Sequence, residues 1–146
     1  MIDGGLCFIV GSPGSGKTSV LIELGFKASA AGRNVSFFSI DQTARSLEQR
    51  HGSLPMTVYD GPEGSDAILQ AVQDSKPGDL VMIDMMGLVD AGDGFASVNR
   101  FAQRLDRLAK KCHVEIVATI QKREPIGVTG GKHWTMRYPT TELLDK

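Results

Sequence analysis

The chain has 146 residues, of which 41% are hydrophobic and 23% charged, and a formal net charge of -1. No apolar stretch approaches a membrane span, the start lacks the charged-then-apolar order of a signal peptide, and Cys7 and Cys112 stand without disulfide or zinc spacing. One globular domain over residues 1–146, cytoplasmic, zinc-free and with both thiols reduced, is expected.

Leu6-Cys7-Phe8-Ile9-Val10 is a short unbroken apolar run, which suits a strand buried on both faces of a parallel sheet. Directly after it, Gly11-Ser12-Pro13-Gly14-Ser15-Gly16-Lys17-Thr18 satisfies G-x-x-x-x-G-K-[ST], the pattern of a loop that cradles phosphates. Gly14 and Gly16 let the backbone turn its N–H groups inward, and the helix that follows adds its positive N-terminal end. In this pattern Lys17 reaches the β- and γ-phosphates of a nucleotide, and the Thr18 hydroxyl ligates Mg2+. Val20, Leu21, Leu24 and Ala28 then recur at helical spacing, and Gly32 closes the helix.

Val35 to Ile40 reads as a second strand that delivers Asp41 at its C-terminal end. In an open parallel sheet ligand chemistry gathers at such ends, beside the phosphate loop. A short helix from Thr43 to His51 carries Leu47, and Met56 to Tyr59 is a brief third strand. The turn that follows offers Ser65 as the cap of a helix striped by Ile68, Leu69 and Val72, which Lys76-Pro77-Gly78-Asp79 stops. Leu80-Val81-Met82-Ile83-Asp84 is an apolar strand ending in an acid. This is the Walker B arrangement, in which the carboxylate holds Mg2+, usually through water. Residues 85–96 read as a mobile acidic loop around Asp90 and Asp93.

From Phe95 a long helix is predicted, with Phe95, Val98, Phe101, Leu105, Leu108 and Cys112 at three-and-four spacing. Arg100, Arg104, Arg107 and Lys111 form a second, basic stripe on it, either a solvated face or a surface for a polyanion. That stripe belongs to a wider asymmetry, since residues 1–99 carry six Lys and Arg against twelve Asp and Glu, whereas residues 100–146 carry ten against five. Val114 to Ile120 is a fifth core strand, ending at Gln121-Lys122-Arg123. Residues 125–146 are expected to hold a loop and one terminal strand or hairpin, where Trp134 and Tyr138 either stack on bases or pack the strand.

Strand and helix alternation behind a phosphate loop gives an α/β class: a three-layer P-loop NTPase with a mostly parallel central sheet. Many P-loop ATPases place a glutamate directly after the Walker B acid to orient water, and here that position is Met85. The stretches Phe37-Phe38-Ser39-Ile40-Asp41-Gln42-Thr43 through Leu47-Glu48-Gln49-Arg50, Ile83-Asp84-Met85-Met86-Gly87-Leu88-Val89, and Arg100 to Cys112 followed by Gln121 resemble the RecA-like ATPases. Within them the chain is most similar to the ATPase core of DnaB-type replicative helicases, with their RadA and KaiC relatives.

The resemblance spans roughly residues 5–124 in order. It implies a RecA-like fold, ATP and Mg2+ as cofactors, ATP hydrolysis linked to DNA replication, recombination or repair, single-stranded DNA as the favoured polymer, and homo-oligomers or larger replication partners. It also implies that Asp41 polarises the attacking water, that Gln121 senses the γ-phosphate, and that Lys122 and Arg123 reach DNA or a neighbouring subunit's nucleotide. Asp41 stands where the helicases carry glutamate and is one methylene shorter, which predicts slow turnover. A small nucleoside or nucleotide kinase, and a nucleotide- or DNA-binding module without hydrolysis, remain as alternatives.

Overall fold

A computed structural model describes residues 4–11, 16–61, 64–86, 94–121 and 134–137, with backbone alone for 94–98, 121 and 134–137. The elements in chain order are β1 (Gly5–Gly11), α1 (Lys17–Ala30), β2 (Val35–Ser39), α2 (Ala44–His51), β3 (Thr57–Tyr59), α3 (Ser65–Asp74), β4 (Leu80–Asp84), α4 (Gly94–Cys112), β5 (Glu115–Gln121) and β6 (Trp134–Arg137).

One six-stranded sheet runs in the order β3-β2-β4-β5-β1-β6. β1 to β5 are mutually parallel, and β6 pairs antiparallel with β1 through Ile9 opposite Met136 and Gly11 opposite Trp134. The unbroken apolar runs of β1 and β4 follow from burial on both faces. Side-chain alternation sends Leu6, Phe8, Val81, Ile83, Ile116 and Ala118 to a core shared with Ile68 and Val72 of α3 and Phe101 and Leu105 of α4. The opposite parity sends Ile9, Phe37, Leu80, Met82 and Val117 to a second core with Leu21 and Ile22 of α1 and Leu47 of α2. Helices thus cover both faces, as the three-layer expectation requires.

The ends of the elements have local causes. Gly32 takes a left-handed φ of 85° and its N–H donates to the Ser29 carbonyl at 3.0 Å, so α1 stops where expected. Thr43 caps α2, its hydroxyl accepting from the Ser46 N–H at 3.1 Å, and Asp60 accepts from the Ala44 N–H at 2.8 Å. At the start of β1, the Leu6 N–H donates to Asp106 Oδ1 of α4 at 2.9 Å, while Lys110 holds the other carboxylate oxygen at 2.8 Å.

Some expectations shift. Ser65 is not a cap but the first residue of α3; Gly64, extended at φ -86° and ψ 171°, holds the cap position without a side-chain hydrogen bond. α4 begins at Gly94 rather than Phe95, and Met86 is fully buried in the α3–α4 core, while residues 87–93 of the expected acidic loop, with Asp90 and Asp93, lie outside the described residues. The second strand ends at Ser39, and the third begins at Thr57. Arg100, Arg104, Arg107 and Lys111 all lie on the exposed side of α4. Among the described residues, no helix is long and apolar enough to cross a membrane.

Candidate functional site

The parity that packs Leu80 and Met82 against α1 also governs the last residue of β4, so Asp84 emerges on the α1 side of the sheet. It is only 4% exposed. A buried carboxylate requires donors, and two hydroxyls supply them. Thr18, in the first turn of α1, donates to Asp84 Oδ2 at 2.9 Å, and Thr119 of β5 donates to Asp84 Oδ1 at 2.7 Å. The main-chain carbonyl of the same residue accepts from the N–H groups of Ile40 at 2.7 Å and Asp41 at 3.3 Å. Asp84 therefore joins α1, β5 and the loop after β2. The Asp84–Met85 peptide is cis.

Lys17 opens α1 and donates from Nζ to the Gly11 carbonyl at 2.9 Å, folding back over the end of β1. Burial pushes its ammonium below the usual lysine range, and the Asp84 charge opposes that push. Gly16 precedes it in a left-handed conformation, φ 91°, at the cap position of α1, where no side chain caps the helix and no acid occupies the first turn. An uncapped helix start beside a lysine offers main-chain N–H groups and positive charge to an anion.

Sequence-selected residues divide by what the structure describes. Thr18, Asp84, Lys17, Gly11 and Gly16 come together at the C-terminal ends of β1 and β4 and the start of α1. Asp41 is exposed on the adjoining loop, tethered to Asp84 through the main chain. Gln121 ends β5 with its backbone opposite Gly11. Ser12, Pro13, Gly14, Ser15, Lys122, Arg123 and Tyr138 lie outside the described residues.

Two residues join the site that motif reading passes over. Thr119 is fully buried on Asp84, and Ser39, also fully buried, is paired in register with Asp84 and donates to the Gln42 carbonyl at 2.6 Å. Each is a hydroxyl standing beside apolar residues near the C-terminal end of its strand.

The donor set fits Mg2+, which takes few protein oxygens, keeps several waters and relies on substrate phosphates. One oriented carboxylate and one hydroxyl at an uncapped helix start meet that description. Among the described residues, no group of three or more His, Cys, Asp or Glu is placed to cage a metal without such help.

Comparison with solved structures agrees with this architecture. One solved ATPase domain superposes with a TM-score of 0.71 at 16% identity, covering 83% of this chain and 58% of that one. A DnaB-like replicative helicase, solved in a study of its interactions with primase, gives a TM-score of 0.70 at 15% identity over 90% of this chain and 43% of that one. The chain thus spans little more than half of the first structure and less than half of the second. No protein-family model and no curated protein sequence matches it significantly. The fold is that of the RecA-like P-loop ATPases, shared with DnaB-like helicase ATPase domains.

Proposed function

We propose that the chain is a RecA-like ATPase domain that binds Mg·ATP and hydrolyses it in DNA replication, recombination or repair, with single-stranded DNA as its favoured polymer. The observation that supports this reading is the hydrogen bond from Thr18 to Asp84, two residues 66 positions apart in the chain. Ser12 to Thr18 and Gly11 would cradle the phosphates, with Lys17 set against the β- and γ-groups. Thr18 and Asp84 would hold Mg2+, which when bound neutralises developing phosphate charge.

Asp41 is assigned to orient the attacking water. Met85 has no polar group for that task, and the Asp84 carbonyl keeps the Asp41 main chain beside the metal-side strand. Gln121, in register with Gly11, is assigned as the γ-phosphate sensor, and Lys122 and Arg123 as contacts to DNA or to a neighbouring subunit. The similarity to DnaB-like helicase folds supports an oligomeric, DNA-linked role.

The test is ATP hydrolysis with and without single-stranded DNA. The parent turns over slowly and is stimulated by DNA, Lys17→Ala falls to background, and Asp41→Asn binds nucleotide but loses turnover. Turnover unaffected by Lys17→Ala refutes the assignment. Phosphate delivered to nucleosides instead of water would make the protein a kinase.

A further inference from the structure

We propose that Thr119 is a positioning residue for the metal site, its hydroxyl fixing the rotation of the Asp84 carboxylate so that Oδ2 is presented to Thr18 and to Mg2+. The inference rests on the nucleotide-binding reading of this site and adds a residue that belongs to none of its motifs.

Thr119 is fully buried in a strand whose neighbours Val117 and Ala118 are apolar and equally enclosed. Packing alone would be served by valine, which has the same shape without a polar atom to satisfy. A buried hydroxyl without a partner is destabilising, so its placement needs a purpose. Among the described residues, the Thr119 side chain makes one hydrogen bond, to Asp84 Oδ1 at 2.7 Å.

The acceptor has a matching need. The last torsion of an aspartate is broad, so nothing intrinsic to Asp84 sets the direction of its two oxygens. Hydroxyls from two elements do so, Thr18 from α1 and Thr119 from β5. Their duties differ. Thr18 is itself the proposed metal ligand, whereas Thr119 stands in register beside Ile9 of β1, on the strand next to β4, and has no other task. Partners that orient a metal's ligands control affinity from outside the ligand set.

The experiment titrates Mg2+ against binding of a fluorescent ADP analogue to the full chain, for the parent, Thr119→Val and Thr119→Ser, with a parallel series in EDTA. Thr119→Val is expected to raise the Mg2+ midpoint about tenfold or more while leaving binding in EDTA unchanged. Thr119→Ser is expected to restore the parent midpoint. An unmoved midpoint in Thr119→Val overturns the inference, and so does equal loss of binding with and without Mg2+, which would mark a purely structural residue. If Thr119→Val does not fold, Thr119→Ala is read by the same two criteria. A parent without Mg2+-dependent binding refutes the nucleotide reading and the inference together, whereas a responsive parent with an unmoved Thr119→Val refutes the inference alone.

Discussion

The two faces of the sheet start alike and finish differently. On the α3–α4 side the chain stays apolar through the ends of β2 and β5, with Phe38 of β2 followed by Ile40 just past the strand and Ala118 of β5 by Ile120. On the α1 side, alternate positions of β2, β4 and β5 turn polar towards the C-terminal ends: Phe37 is followed by Ser39, Met82 by Asp84 and Val117 by Thr119, all buried. One face finishes in an apolar layer, and the other in a buried polar one. Adjacent residues of one strand therefore serve different purposes, and substitutions can separate them.

Ile83 and Asp84 give the widest separation. Ile83→Ala, on the α3–α4 side, is expected to lower the unfolding free energy by about 2–5 kcal/mol in urea titrations while sparing Mg2+-dependent nucleotide binding in the folded fraction. Asp84→Asn should abolish the Mg2+ response with a far smaller loss of stability. Equal destabilisation by both variants would erase the distinction between faces.

Two left-handed glycines sharpen it along the strand direction. Gly4, at φ 83°, lies where an added Cβ would stand 2.5 Å from the Ala109 carbonyl oxygen of α4, whereas Gly16, at φ 91°, has nothing within 4 Å of that position among the described residues. Gly4→Ala should cost at least about 2 kcal/mol of stability, from backbone strain and overpacking together. Gly16→Ala should cost about 1 kcal/mol, from the left-handed backbone alone, and show its larger effect on nucleotide affinity. Comparable unfolding midpoints for the two variants would show that crowding at the α4 end does not matter.

The smallest effect concerns Lys17. Burial lowers its pKa in the folded protein, so between that depressed value and the ordinary lysine value the unfolded chain binds more protons. Stability of the nucleotide-free protein should therefore rise with pH across that window. Urea midpoints measured at stepped alkaline pH should show the rise in the parent and not in Lys17→Met. Identical slopes would mean that the lysine is not desolvated.

Much of this plan was legible in the residues. The apolar runs from Leu6 and Leu80, the helical stripe of Ile68, Leu69 and Val72, and the stop of α1 at Gly32 each declare themselves within a few positions, because period and turn chemistry are local. Asp84 was legible for the same reason, standing at the end of its own strand. Thr119 was not. Its meaning depends on the register of β5 against β4, and the two strands are separated by all of α4, so no local pattern reports that it lies beside Asp84. Ser65 misled in a different way: a good capping residue stood one place inside the helix, and Gly64 took the extended conformation that a cap requires.

β5 lies between β1 and β4, so the strands bearing Gly11 and Asp84 stand two strand spacings apart, about 10 Å, and never touch. The site is geared through that middle strand. Because one residue step along a strand is about 3.3 Å and a hydroxyl hydrogen bond spans only about 0.5 Å of useful range, a slip of β5 by a small fraction of a step would unlatch Thr119 from Asp84 and shift Gln121 against Gly11 in the same stroke.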